Sequence, residues 1–340
     1  MALWTPAEIG SAVALWLDAS DSTTITIDTG IGEWRDKSGN GRHPANTTDA
    51  AQPGLISAEL NGLDIARFDG SNDSLIFPGS TATDYPLKFS TASFAVLAII
   101  KPSALVATVN IFFGSRAAAT GWFAGFGTND PYFRLYADAE KWEPAPMTAI
   151  TATTTWQSFV ATAPRGATGK YRKNGTTLQS TTSAVGTQSL SNSLQVRLGS
   201  YVDASNVTTG QFNGDIAELL LYEGVITDDL IQLWEGYAHW KWGLQDDLAA
   251  DHPYKSAAPT LNKVSGVVTV NGSPAARTVA VFLRSDFTLL GTTTSNATTG
   301  AFEILNGLIP PDANALLVTA IDSTGTYNAV SVDYITSVSS

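Results

Sequence analysis

The chain has no cysteine among its 340 residues, only 2 methionines and 3 histidines, and charged residues make up just 15 % of it. Without Cys there is no disulfide framework, no thiolate metal site and no cysteine nucleophile. His43, His239 and His252 lie far apart, and none has a partner at metal-ligand spacing. Basic residues are also scarce: 19 Lys+Arg stand against 31 Asp+Glu, a formal net charge of −12 with a pI near 4.6. A surface of that sign repels phosphate backbones and anionic membranes, so no nucleic-acid partner and no membrane insertion are expected. Long apolar runs are missing too. The richest, Ala92–Ile100, is of strand length and far below the roughly 20 residues that span a bilayer. The stretch Met1 to Asp21 lacks a basic region and is broken by Asp18 and Asp21, which argues against a secretory signal. No Gly-rich loop follows a strand and opens a helix, so nucleotide binding has no support.

What is present is strand-like. Ser93–Lys101, Asn110–Gly114, Tyr132–Ala137, Trp156–Ala163, Ser193–Gly199 and Ala217–Tyr222 are short, apolar and rich in β-branched or aromatic residues. Asn61-Gly62, Asn174-Gly175 and Asn271-Gly272 accept the positive φ that tight hairpins need. One segment departs from this rhythm. Thr227 is placed to cap a helix, Asp228 and Asp229 suit its first turn, Leu230, Trp234, Tyr237 and Lys241 recur at helical spacing, and Gly243 ends it. After His252-Pro253-Tyr254 comes a small, polar, proline-containing stretch, and a fresh β pattern starts at Val264. The expected organisation is a unit over 1–254, a linker over 255–262 and a second unit over 263–340. The second unit carries three basic against five acidic residues, net −2.

Leu15-Trp16-Leu17-Asp18-Ala19, Trp34-Arg35-Asp36-Lys37-Ser38-Gly39-Asn40-Gly41 and Arg67-Phe68-Asp69-Gly70-Ser71-Asn72-Asp73 stand in this order along the chain. Lys173-Asn174-Gly175, Val196-Arg197-Leu198-Gly199, Gly214-Asp215-Ile216-Ala217-Glu218 and His252-Pro253-Tyr254 follow them. Together they resemble the concanavalin A-like, laminin-G-like jelly-roll domains. The C-terminal run Val264 to Pro274, then Thr278–Arg284 and Thr299-Gly300-Ala301-Phe302, is similar to carboxypeptidase-regulatory-like, immunoglobulin-like sandwiches. The resemblance implies an all-β protein: a large concanavalin A-like jelly-roll sandwich with one amphipathic helix, plus a small immunoglobulin-like β-sandwich. The combination resembles virion proteins of tailed bacteriophages. It implies a non-enzymatic structural or decorating component on the particle surface, homo-oligomeric and contacting other virion proteins, with a surface for glycan or host-cell adhesion. A free lectin, and a glycosidase with unrecognised carboxylates, are the alternatives.

The residues are consistent with binding rather than turnover. A glycosidase of this fold class projects paired carboxylates from one strand, whereas Glu218 is followed by Leu219, Leu220 and Leu221. Glu140 and Glu143 flank Trp142, but Pro144 and Pro146 suggest a loop there. Trp122 and Trp142 lie in Gly- or Pro-flanked stretches, and Trp142 is close to Asp138 and Glu140; an exposed ring beside a carboxylate suits a sugar. Packing of both rings in the sheet is the alternative. No cofactor is expected, except that Asp69, Asn72 and Asp73 crowd hard oxygen ligands that would suit calcium if they converge. The same residue types also make ordinary Asx turns.

Overall fold

The longest strand, Asn213–Glu223, runs through an eight-stranded antiparallel sheet, and the larger part of the chain is arranged around it. The computed structural model describes residues 3–103, 110–117, 120–127, 131–137, 140–142, 154–181, 184–203, 208–285, 287–306, 309, 315–322, 330–335 and 338–339. It divides into two units, Ile9–Ser256, and Ala257–Ser340 together with Met1–Glu8. The first eight residues therefore belong to the second unit, not the first as the sequence suggested. Trp4 N–H donates to the carbonyl of Pro259 at 3.1 Å, and Leu3 bridges Thr260. Such long-range pairing leaves no mark on local residue pattern.

In the larger unit the eight-stranded sheet runs Thr176–Ser180, Lys170–Lys173, Gln157–Ala163, Phe94–Pro102, Asn213–Glu223, Leu63–Asp69, Gly54–Leu60. Leu63–Asp69 pairs with the first half of the long strand, and Val13–Asp18 with its second half on the same side. A six-stranded sheet faces it, in the order Glu140–Trp142, Pro131–Ala137, Gly121–Phe126, Asn110–Arg116, Arg197–Leu198, Leu75–Ile76. The core lies between the sheets. Phe112 and Phe159, one from each sheet, meet edge to face at 5.2 Å and 84°, the geometry aromatic quadrupoles favour. Phe94–Pro102 reads as an unbroken apolar run because both its faces are covered. Val96, Ala98 and Ile100 enter the inter-sheet core, and Leu97 and Ile99 are equally buried on the other side.

A bulge in the long strand decides where the helix attaches. Its register against Phe94–Pro102 slips between Ile216 and Glu218. As a result Ile216, Leu219 and Leu221 all face the core, while Glu218 faces the opposite side, under the helix Asp228–Trp242. The Thr227 hydroxyl caps that helix by accepting from the Leu230 N–H, and Gly243 closes it at φ 71°. Ile231, Leu233, Trp234, Glu235, Ala238 and Trp242 are buried, while Tyr237 is half-buried. Gly236 costs helix stability intrinsically, but a Cβ there would stand 2.6 Å from Tyr254. The residue is small because the chain after the helix packs directly on it.

In the smaller unit Thr269–Val270 pairs with Ser273–Pro274 in a separate two-stranded sheet, and two antiparallel sheets enclose the core. One orders Leu289–Thr294, Thr278–Leu283, Leu316–Ile321, Val330–Ile335, and the other Ala301–Asn306, Asn262–Val267, Val338–Ser339. Val264, Val279, Val281, Ile304 and Leu316 fill the core between them.

Candidate functional site

Trp122 is not available to a ligand. Its side chain is 0 % exposed, stacks on Phe113 at 5.2 Å, lies 4.8 Å from Phe94, and donates its indole N–H to the Leu87 carbonyl at 3.0 Å. The expected stacking role is corrected: Gly121 before it marks close strand packing, not a loop, since a Cβ there would meet the Ser115 carbonyl at 2.1 Å. Glu140 and Trp142 lie in an edge strand rather than a loop, in register with Ala137 and Leu135. Asp138 lies outside the described residues.

The calcium candidates form a turn that closes on itself. The Asp69 carboxylate accepts from the N–H groups of Ser71 at 2.7 Å and Asn72 at 3.2 Å, and Asp73 accepts from the Asp69 N–H at 2.9 Å. Burial works against the Asp69 charge, but these amides outweigh it and hold its pKa below the usual range. Burial and the adjacent Asp69 push Asp73 up to about 6. Asn72 turns its amide away to the Ala50 carbonyl at 2.6 Å. Among the described residues no group of three His, Asp or Glu side chains is placed to hold an ion. The turn therefore accounts for Asp69, Asn72 and Asp73 as Asx chemistry.

The buried carboxylates are occupied as fasteners. Glu218, fully buried, accepts from Trp16 Nε1 at 2.7 Å, Trp242 Nε1 at 2.8 Å, Lys241 Nζ at 2.9 Å and Tyr237 OH at 3.0 Å. Its cross-strand neighbour Asp18 binds Lys241 at 2.7 Å and Lys37 at 2.9 Å. Burial opposes its charge, yet the two lysines hold its pKa below the ordinary carboxylate value. Asp36 gathers the N–H groups of Trp16, Ser38 and Arg42 within 3.2 Å. A second fastener joins the helix to the strand Lys170–Lys173. Arg172 reaches both oxygens of buried Glu235 at 3.1 and 2.7 Å, and His252 Nε2 lies 3.3 Å from the same carboxylate. These contacts give Trp16, Asp18, Asp36, Glu218 and His252 structural roles. None of these carboxylates presents a spare oxygen to a substrate, which a hydrolytic pair requires. A hollow of about 200 Å³ beside the helix start, lined by Phe94, Thr162, Ile231 and the Lys170–Asp228 ion pair, is smaller than ordinary ligand pockets.

The outward face of the six-stranded sheet has different chemistry. Arg197, Gly114, Phe123 and Arg134 stand directly opposite one another across four adjacent strands, a row about 14 Å long at ordinary strand spacing. Phe123 stacks on Tyr201 at 5.5 Å and 19°, and the Arg116 guanidinium lies 5.8 Å from its ring. A Cβ on Gly114 would stand 2.6 Å from the Phe123 Cβ and 2.9 Å from the Trp122 carbonyl, so that glycine lets the two strands approach closely. Tyr201 and the three arginines are half-buried. Arg197 donates to neutral oxygens, Gln195 Oε1 at 2.6 Å and Thr208 Oγ1 at 2.9 Å, and burial lowers its pKa from the usual arginine value. Phe123 is only 2 % exposed and the Arg197 fork is held by Gln195 and Thr208, so what this face turns outward for stacking is the half-buried Tyr201 ring, with guanidinium groups on the same face. The sequence reading missed this row because it is assembled by strand register.

Residues 69–232, just under half of the chain, match the family described as the concanavalin A-like lectin/glucanases superfamily. The larger unit is a concanavalin A-like sandwich. The matched segment runs from the Asp69 turn through the six-stranded sheet into the helix, so it contains the arginine row. Similar solved structures include the binding domain of Paraclostridial Mosquitocidal Protein 1, at 11 % identity and TM-score 0.49, covering 96 % of this chain and 73 % of that one. Domain 4 of AbnA, a GH43 extracellular arabinanase from Geobacillus stearothermophilus solved with arabinotriose, is 16 % identical with TM-score 0.44, covering 64 % of this chain and 96 % of that one. The botulinum neurotoxin serotype D binding domain is 12 % identical with TM-score 0.47, covering 92 % of this chain and 71 % of that one. No curated protein matches the sequence.

Proposed function

We propose that the protein is a non-enzymatic binding component, displayed on the surface of a tailed-phage particle, whose concanavalin A-like unit adheres to a glycan or host surface. The small module, read as immunoglobulin-like, links it to neighbouring virion proteins, and the assembly is homo-oligomeric. The observation that carries the binding part is the Arg197–Gly114–Phe123–Arg134 row with Tyr201 stacked beside it. Guanidinium groups concentrated on one face of a chain of net charge −12 suit recognition of hydroxyl- or carboxylate-bearing sugars. The absence of turnover is supported by Glu218 and Asp18, whose oxygens are committed to the helix fastening. The particle assignment rests on the order of sequence motifs. Mass spectrometry of purified particles tests it: the chain is present in stoichiometric amount, and its absence overturns the assignment. A glycan array tests adhesion separately, with retained oligosaccharide expected and no retained sugar contradicting it.

A further inference from the structure

Arg197 is a half-buried cation whose hydrogen bonds all go to neutral oxygens. Its Nε and Nη2 donate to Gln195 Oε1 at 3.1 and 2.6 Å, and its Nη1 donates to Thr208 Oγ1 at 2.9 Å. Among the described residues no carboxylate balances it, and burial lowers its pKa with no opposing charge. Elsewhere in the larger unit Arg67 is balanced by Asp215 and Glu59, and Arg172 by Glu235. Arg165 also lacks a carboxylate, but its fork knots the carbonyls of Ser90, Ala92 and Gly186 and so has a use inside the fold. Arg197 ties a side chain two residues away and one hydroxyl of the hairpin Tyr201–Val202 and Thr208–Thr209. Taking a charge out of water without a partner costs stability, and these two contacts leave the charge unbalanced.

The donors that remain suit an anion. A guanidinium has five N–H groups, and three are engaged here, which leaves one on each terminal nitrogen. Gln195 and Thr208 fix the plane of the fork, and the two spare donors match two oxygens of a carboxylate or a sulfate. Tyr201 stacks on Phe123, which stands two strands from Arg197 in the outward row. That separation is about 10 Å at ordinary strand spacing, within the reach of one oligosaccharide.

We infer that this face selects acidic glycans: a sugar ring stacks on Tyr201, and an anionic group of the same oligosaccharide, carboxylate or sulfate, pairs with Arg197. The chain as a whole, at −12, repels such ligands, so the selection comes from the local cation and not from the general field. The inference rests on the adhesive reading of this face and narrows it to anionic sugars.

The test is an array of oligosaccharides bearing uronic acids, sialic acids or sulfate esters, each printed beside a twin made neutral by carboxyl reduction or desulfation. The full chain is expected to retain acidic members and to bind their neutral twins about tenfold or more weakly, the scale of a charge-assisted hydrogen-bonded pair. Whether carboxyl reduction or desulfation causes the loss tells the two anions apart. Equal retention of acidic member and twin overturns the inference and leaves the adhesive reading standing. Retention of no oligosaccharide overturns both. Arg197→Gln, at unchanged thermal stability, is expected to bind an acidic member and its twin alike, and a variant that still prefers the acid tenfold overturns the pairing with Arg197. The comparison of twins on the wild type decides the inference whether or not the variant folds.

Discussion

Replacing Glu218 by Gln tests the helix fastening without changing side-chain volume. Four donors converge on the two carboxylate oxygens, and the residue is fully buried. An amide keeps one oxygen and turns an NH₂ toward the other donor pair, so two donors that were satisfied now face a donor. Lys241 retains Asp18 at 2.7 Å, so no cation is orphaned and the loss comes from the indole and hydroxyl groups. At about 1–3 kcal/mol for each buried donor left unpaired, the variant should lose about 3–4 kcal/mol. Urea unfolding of the full chain, followed by tryptophan fluorescence, measures this directly because Trp16 and Trp242 are both bound to the mutated group. Tyr237→Phe removes one donor of the four and should cost about 0.5–1.5 kcal/mol. A Glu218→Gln loss below about 1 kcal/mol, or one equal to that of Tyr237→Phe, would refute the convergent arrangement.

Gly236→Ala, stabilising by propensity alone, should instead destabilise the larger unit, because the added Cβ meets Tyr254 at 2.6 Å; a raised melting temperature would disprove the close approach. Trp234→Ala should cost about 3–5 kcal/mol, whereas Trp234→Phe should cost clearly less, since no acceptor among the described residues meets its buried indole N–H. Lys88 is 1 % exposed, with its ammonium on the Ala82 and Asn192 carbonyls, and burial lowers its pKa to about 8 from 10.5. The unfolded chain therefore binds the extra proton between those values, and stability rises as pH increases from about 8, by at most about 3 kcal/mol. Denaturation midpoints at pH 7.5 and about 9.5 check the sign, and Lys88→Met should flatten the rise. His239, buried and held down to about 4, acts in the acid range: its contribution is complete above its ordinary pKa of 6.5 and is lost as pH falls toward 4.

Local chemistry made much of the larger unit legible in the sequence. Thr227 and Gly243 cap the helix where their side-chain and backbone preferences place them. Asn61-Gly62, Asn174-Gly175 and Asn271-Gly272 all adopt paired positive φ angles, as hairpin turns of this composition do. Strand register and long-range partnership were not legible. Trp122 and Phe123 are adjacent and point to opposite faces, and nothing local says which face is the core. The alternation of Trp122, Ala124 and Phe126 was a usable signal, because all three enter the inter-sheet core. Arg197 and Gly114 become neighbours only when two distant strands pair, so the candidate binding row had no linear motif. Gly236 inside a capped helix was a second readable signal of close packing.

The account depends most on whether the outward face of the six-stranded sheet binds sugar. The most direct measurement is titration calorimetry of the strongest oligosaccharide from the glycan array against the full chain and its Tyr201→Ala variant, both at equal thermal stability. Loss of the stacking ring should weaken binding by about 1–3 kcal/mol, with the oligosaccharide recovered uncleaved. Unchanged affinity in the variant, or hydrolysis of the sugar by the wild type, would contradict it.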